Sequence, residues 1–257
     1  MTITVLAENT ACRADVLAQH GLCLYIETEG RKILVDMGQD DTFARNAQIL
    51  GIDLSQVELA VLSHGHYDHG GGLETFFEIN QKSSVYVQET AFGRYYNGTQ
   101  KYIGLNTAIQ KHPRLRFVKG RCDLTPGIRL SDCNALDWHS NSWGLNRKEG
   151  DRFIPDRFFH EQYLEIKEGE KRILISGCSH KGIVNIAQHF HPHALIGGFH
   201  LNKETDEERL RAIGEALLAN NTMYYTGHCT GSLQFAVLKD VMGSRLESLS
   251  TGMVLEV

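Results

Sequence analysis

Short apolar runs recur along the chain, each closed by glycine, an acid or a polar turn. Ile3 to Leu6 predicts a first strand. Leu22–Glu27 and Lys32–Asp36, joined by Thr28-Glu29-Gly30, predict a β-hairpin. Asp41 is placed to cap a helix reaching Leu50, with Phe43, Ala47 and Leu50 on one face and Gly51 ending it. Leu59 to Leu62 reads as a buried strand, Leu73 to Phe77 as the first turns of a helix, and Val85 to Gln88 as another strand. Beyond the middle of the chain, Gln162–Lys167 and Arg172–Ser176 form a second hairpin pattern about Glu168-Gly169-Glu170. A helix over Gly182–Phe190 and a strand over Ala194–Ile196 come next. Thr205-Asp206-Glu207-Glu208 reads as a capping box that opens a helix to about Ala219. Met223–Thr226 predicts a strand, Ser232 opens a helix ending near Gly243, and Met253–Val257 predicts a last strand.

Two stretches break this regularity. Over 90–112, Phe92, Tyr95, Tyr96, Tyr102 and Ile103 alternate with glycine and asparagine, which suits either a pocket wall or lid or an irregular helix packing its aromatics. Asn134 to Asp156 carries Trp138 and Trp143 and few regular signals; long stretches of this kind tend to be functional. No linker or short repeat divides the chain. Two halves, each opening on a hairpin and closing its strands in histidine-bearing loops, predict two face-to-face sheets with helices outside. The expected architecture is an α/β, four-layer αββα sandwich forming one domain over 1–257, with a variable pocket-forming region at about 90–156.

Composition narrows the function classes. A net charge of −5 with dispersed Lys and Arg gives no basic stripe for nucleic acid. No apolar run approaches the ~18 residues of a membrane span, and Met1–Ala7 lacks the basic and long apolar regions of a signal peptide. The six cysteines (12, 23, 122, 133, 178 and 229) include no Cys-x-x-Cys pair and are too sparse for a disulfide framework. A soluble cytoplasmic protein is expected.

The candidate chemistry is concentrated in Ser63-His64-Gly65-His66-Tyr67-Asp68-His69-Gly70-Gly71-Gly72, on a loop leaving the Leu59–Leu62 strand. Imidazole nitrogens and a carboxylate suit a borderline cation such as Zn²⁺. His64 and His66 can point to one side, Asp68 and His69 to another, which suggests two adjacent metal positions. Asp36, at the end of its own strand, is placed either to hold these histidines from behind or to cap the next loop.

Three further strands end in glycine followed closely by histidine: His180, His200 and His228. Strand ends of one sheet face one edge, so these side chains can converge on the first loop. His180 and His228 are expected as ligands. His200 is expected as a ligand or as a donor to an anionic substrate group. His189, His191 and His193 flank Pro192 and read as a polar helix end. His20, His112, His139 and His160 carry no spacing signal.

The order His-x-His-x-Asp-His identifies the chain as a member of the metallo-β-lactamase fold superfamily. Gly177–Asn185, Gly197–Leu201 and Thr226–Gly231, with His20-Gly21-Leu22, extend the resemblance over nearly the whole chain. The branch it resembles is that of metal-dependent hydrolases like the archaeal 7,8-dihydropterin-6-methyl-4-(β-D-ribofuranosyl)aminobenzene 5′-phosphate synthase. The resemblance implies the αββα fold and one or two divalent ions per chain, Zn²⁺ first and Mn²⁺ or Fe as alternatives. His64, His66 and His180 would hold one ion and Asp68, His69 and His228 the other. Where superfamily members often place a bridging aspartate, this chain has Cys178, whose thiolate either ligates or leaves the bridge to solvent. Met37 replaces a threonine usual in relatives.

The expected activity is hydrolysis of a small anionic phosphoester or phosphodiester, with Asp68 and His200 as catalytic residues. A phosphate would suit the helix openings at Gly182 and Ser232. The alternatives are a carboxyl ester, thioester or lactone hydrolase, a mononuclear iron oxidoreductase, or a binding protein that keeps its metal for structure.

Overall fold

The computed structural model describes residues 1–136, 138 and 142–257. In chain order the elements are β1 (Thr2–Ala7), β2 (Cys23–Thr28), β3 (Arg31–Val35), α1 (Thr42–Ile49), β4 (Leu59–Val61), α2 (Tyr67–Gly70), α3 (Leu73–Ile79) and β5 (Ser84–Gln88). The middle of the chain supplies β6 (Tyr95–Asn97), β7 (Lys101–Tyr102), β8 (Leu115–Val118), β9 (Arg121–Thr125), β10 (Ile128–Ser131), β11 (Leu145–Glu149) and β12 (Arg152–Pro155). Then come β13 (Tyr163–Glu168), β14 (Lys171–Gly177), α4 (Ile183–Phe190), β15 (Ala194–Gly197), α5 (Glu207–Leu218), β16 (Met223–Thr226), α6 (Ser232–Met242), β17 (Leu246–Ser248) and β18 (Val254–Glu256).

Two seven-stranded sheets have the orders β18-β1-β2-β3-β4-β5-β8 and β17-β16-β15-β14-β13-β10-β9. The period-two pattern of the strands assigns their faces. Ile33, Val35, Val61, Ile173, Ile175 and Ile196 meet in the core between the two sheets. Their neighbours Leu34, Ala60 and Leu62 turn outward, joining Phe43 and Phe76 of α1 and α3. On the other sheet Leu174 and Leu195 turn outward against Ile186, Leu210 and Leu238 of α4, α5 and α6. The layers are therefore helix, sheet, sheet, helix, the expected αββα sandwich. Among the described residues no helix is long and apolar enough to cross a membrane.

Each sheet has an antiparallel part and a parallel part. β3, β4, β5 and β8 run parallel in the first, and β14 to β17 in the second. The loops after β3, β4, β14, β15 and β16 carry Asp36, the His64–His69 motif, Cys178 with His180, His200, and His228 respectively. Several of these loops turn abruptly. Asp36, Ser179, His200 and His228 all have φ between 50° and 60°, the left-handed region that non-glycine residues rarely occupy. Such local strain concentrates at functional sites.

The middle of the chain is more regular than its sequence suggests. The aromatic stretch at 90–112 forms β6 and β7, which join β11 and β12 in a third sheet of order β12-β11-β6-β7. That sheet stands over the His64–His69 loop: the Tyr67 amide donates to Ile103 O at 2.9 Å, and Tyr67 packs on Tyr95, Ile103, Leu145 and Phe158. Asn97, Lys101 and Ile103 of this stretch line a cavity, and a short 3-10 turn at Thr107–Ile109, which carries no aromatic, follows the two strands. The β11–β12 hairpin occupies part of the 134–156 stretch. β8, β9, β10 and β17 were also unmarked; they are short, and only half of their residues are apolar or buried. His139 lies outside the described residues.

One capping assignment shifts by one residue, and another keeps its position without the capping bond. Asp206, not Thr205, is the N-cap of α5, accepting from the Arg209 amide at 3.2 Å. The Thr205 amide is already bound to Glu204 Oε1. At α1, Asp41 occupies the cap position without a capping hydrogen bond and pairs instead with Arg45. Asp40 Oδ1 takes the Thr42 amide at 2.9 Å.

One buried polar side chain fixes α1 to the sheet. Asn46 donates to Leu6 O (2.8 Å) and Leu17 O (2.9 Å) and accepts from the Leu17 amide (2.8 Å). Asn46→Ala leaves three backbone groups unmatched, so unfolding in urea should show a loss of about 2–4 kcal/mol. A loss under about 0.5 kcal/mol would contradict this role.

Candidate metal centre

The six residues singled out as metal ligands come together in two sets. The first is His64, His66 and His180. His64 Nε2 lies 3.3 Å from His180 Nε2, and the His66 ring is edge-on to both, with centroids 4.6 and 4.9 Å away. The second is Asp68, His69 and His228. His69 Nε2 lies 3.2 Å from His228 Nε2, and Asp68 Oδ2 lies 3.3 Å from His228 Nε2. Cys178 stands between the sets. Its sulfur is 3.1 Å from His69 Nε2 and groups equally with His64 and His180.

Hydrogen bonds behind the rings decide which nitrogens face inward. The Ser63 hydroxyl donates to Asp36 Oδ2 (2.7 Å), so it must accept from His64 Nδ1–H (2.9 Å), leaving His64 Nε2 as a bare lone pair. His69 Nδ1–H donates to the same carboxylate oxygen at 2.6 Å. Asp36 therefore holds both histidines from behind, the first of its two expected roles. His228 Nδ1–H donates to Asn9 Oδ1 at 2.9 Å, while its amide is held by Glu8 Oε1 at 2.6 Å. The His180 amide is held by Glu161 Oε1 at 2.7 Å, and its ring stacks on Phe158.

His160, which no spacing marked, belongs to this frame. It is fully buried; its Nδ1 accepts the Gly65 amide at 3.0 Å and its Nε2–H donates to Asp156 at 3.0 Å. It thus clamps the peptide between His64 and His66. Gly65 is required there, since a Cβ would meet Ala91 O at 2.0 Å. His20, also unmarked by spacing, reaches Asp68 Oδ2 at 3.3 Å from the half-exposed rim. Asn9, Glu8 and Glu161 were missed too. Glu8 just follows β1, so the strand-end rule that found Asp36 could have found it; His160 and Glu161 offered no comparable signal. His191 and His193 bond to Asn220 and the Arg172 amide, as expected of a polar turn.

A metal fits the donor set on its own chemistry. His66 Nε2 and His180 Nδ1 are buried nitrogens without a hydrogen bond, as are both nitrogens of His200. Facing imidazole lone pairs and a sulfur, gathered without an internal partner, are what a borderline cation satisfies. Burial pushes His64 and His180 well below the usual histidine range and His66 down to about 3, so these rings are neutral at pH 7. Burial works the same way on His69, but Asp36 outweighs it and raises His69 to about 9. Asp68, though penalised by burial, is held well below the carboxylate range by His20 and His228.

The cavity in front of these residues, of about 130 Å³, is lined by His66, Asp68, Cys178, His180, His200 and His228. Tyr67, Asn97, Lys101 and Ile103 form one wall, and Asn202 and Lys203 another. The helix openings at Gly182 and Ser232, expected to face an anion here, line neighbouring cavities instead.

Fold and site together define a class: the chain belongs to the metallo-beta-lactamase superfamily, whose sequence profile matches residues 18–185. The fold typically binds divalent metals. Among its relatives, "Uncharacterized protein MJ0448" of Methanocaldococcus jannaschii is 30% identical over 240 residues, covering 89% of this chain and 90% of that protein. The 7,8-dihydropterin-6-methyl-4-(beta-D-ribofuranosyl)-aminobenzene-5'-phosphate synthase of the same organism is 28% identical, covering 99% of this chain and 96% of that one. The crystal structure of Tm1679, a metal-dependent hydrolase of the beta-lactamase superfamily, superposes with a TM-score of 0.85 at 27% identity, over 100% of this chain and 99% of that one.

The electrostatics make a prediction for the metal-free protein. Imidazole NMR titration should find His66 neutral down to about pH 3 and His69 charged until about pH 9. Two rings titrating together near 6.5 would contradict the Asp36–His69 pairing.

Proposed function

We propose that this chain is a metal-dependent hydrolase of a small anionic phosphoester or phosphodiester. The observation that carries the reading is the convergence of donors from two sheets beside a cavity lined by Lys101 and Lys203. His64 with His180, and His69 with His228, each group with the Cys178 sulfur; the His66 ring stands edge-on to the first pair and Asp68 reaches His228. In this reading the six residues hold one or two divalent ions, Zn²⁺ best suited and Mn²⁺ or Fe possible. Such ions supply Lewis acidity and lower the pKa of water toward about 7.

The protein's own groups do the rest. Asp68, kept ionised by its neighbours, orients the attacking water and takes up its proton. His20, bonded to Asp68 at the rim, keeps that carboxylate pointed inward. His200, with two buried nitrogens lacking partners, donates to the oxyanion that grows on phosphorus. Lys101 and Lys203, which both line the cavity, hold the substrate's remaining charge. The apolar side of the wall, Ile103 and Leu145, limits water near the reacting atoms. Tm1679 is named a metal-dependent hydrolase, and one of the two Methanocaldococcus relatives is named as the synthase of a ribofuranosyl-aminobenzene 5'-phosphate. The first name supports the reaction class, and the second supports a ligand that carries a phosphate ester. Six unpaired cysteines suit a reducing compartment such as the cytoplasm.

The purified chain loaded with Mn²⁺ or Zn²⁺ should cleave bis(p-nitrophenyl) phosphate and lose that activity in chelator. Inert phosphoesters beside turnover of a thioester, lactone or carboxyl ester would overturn the substrate class. Oxygen uptake without hydrolysis would overturn the hydrolase reading itself. His66→Ala should lose bound Mn²⁺ and all activity, whereas exposed His189→Ala should change neither. His228→Ala should lower Mn²⁺ content by one ion. His200→Ala should keep the Mn²⁺ content and lose about 10²–10³-fold in rate. If His200→Ala loses Mn²⁺ and His228→Ala does not, their roles are exchanged.

A further inference from the structure

Beside the two histidine sets lies a third group of donors, Cys178, His200 and Cys229, of which the hydrolase reading leaves Cys229 unused. Cys229 follows His228 directly and is buried, with its sulfur 3.7 Å from Cys178 O. The two sulfurs and one nitrogen of His200 all lie within 4.8 Å of one another. Neither nitrogen of His200 is matched by a hydrogen bond, although both are buried. The backbone leaves room for the second sulfur: residue 198 is glycine, and a Cβ there would stand 2.4 Å from Cys229 Sγ.

The loops that carry these donors are tied together. The Phe199 amide donates to Thr230 Oγ1 at 3.0 Å, and Thr230 Oγ1 bonds Thr226 Oγ1 at 2.6 Å. His200 and Cys229 are thus held in register across β15 and β16, while Cys178 comes from β14.

We propose that Cys178, His200 and Cys229 form a third, sulfur-rich metal position that adjoins the histidine centre and shares the Cys178 sulfur with it. Two thiolates and an imidazole select a thiophilic cation, Zn²⁺, Co²⁺ or Cd²⁺, over Mn²⁺ or Mg²⁺. Tetrahedral binding with metal–sulfur bonds of about 2.3 Å sets neighbouring sulfurs about 3.8 Å apart, so the group needs to close by about 1 Å at most. Loading releases the two thiol protons to solvent. An imidazole binds through one nitrogen only, and the other N–H of His200 is left to face the cavity. Metal there would fix the orientation of the group proposed to meet the substrate, as second-sphere contacts commonly do.

The proposal goes beyond the hydrolase reading and is measured without it. Metal-free full-length protein is titrated with Co²⁺, desalted and assayed for bound cobalt, with near-ultraviolet sulfur-to-cobalt charge transfer recorded alongside. Wild type should bind one more cobalt ion per chain than Cys229→Ser or Cys229→Ala, with stronger charge transfer. Alkylation followed by mass mapping should find both Cys178 and Cys229 protected once cobalt is bound. Mn²⁺ content should be the same in all three proteins, which keeps the test separate from the histidine centre. Equal cobalt content in wild type and both variants would overturn the proposal. So would a Cys178–Cys229 disulfide in chain purified without oxidant, or free alkylation of Cys229 in the loaded protein.

Discussion

A single buried carboxylate carries much of the site. Asp36 has no exposed surface, and its oxygens receive the Ser63 amide, the Ser63 hydroxyl and His69 Nδ1–H. A carboxylate buried without such donors would cost several kcal/mol; with them its oxygens are matched and it orders the groups it touches. Through Ser63 it sets the tautomer of His64, and directly it sets that of His69. One residue at the end of β3 therefore aims a ring into each of the two donor sets. Its own left-handed backbone, φ 60°, turns the carboxylate back toward the neighbouring β4 loop.

The arrangement needs two sheets meeting at one edge. The first sheet supplies His64, His66, Asp68 and His69 from a single loop, and the second supplies Cys178, His180, His200 and His228 from three. What keeps them in register is the apolar core between the sheets, where Ile33, Val35 and Val61 pack with Ile173, Ile175 and Ile196. Polar ties cross the same boundary close to the site. The Gln162 amide bonds Ser63 O at 2.8 Å, and Gln162 Nε2 bonds Leu62 O at 2.8 Å. The third sheet acts differently: it contributes Asn97, Lys101, Ile103 and Leu145 to the cavity wall and no metal donor. The candidate donors and the cavity wall thus come from different parts of the fold.

His160 and Asp156 illustrate how a rigid scaffold is built around ligands that repel a proton. Burial first, and neighbouring imidazoles second, disfavour charge on His64, His66 and His180. His160 meets them as a hydrogen-bond acceptor for Gly65 and passes its own N–H to Asp156. Its ring also packs against Tyr95 of the third sheet, centroids 3.9 Å apart. The wall and the ligand loop are coupled through this one imidazole.

The chain by itself determined the strands of the two hairpin-led halves and most of the helices, and it singled out the candidate donors, but not the short strands β6 to β12 and β17. Alternation in Leu34, Ala60 and Leu62 against Ile33, Val35 and Val61 is local information, because neighbouring side chains on a strand point to opposite faces. The glycine-then-histidine endings at 180, 200 and 228 were legible for the same reason. Only the tertiary structure decided which donors share a position, since His64 and His180 are 116 residues apart and His69 and His228 are 159 apart. It also decided that His160 is a clamp, that Glu8 and Asn9 stand behind His228, and that Cys229 lies beside Cys178. Those roles arise from contacts between strand ends of different sheets. No spacing along the chain encodes such contacts, because they depend on how the two sheets pack rather than on what lies next in sequence.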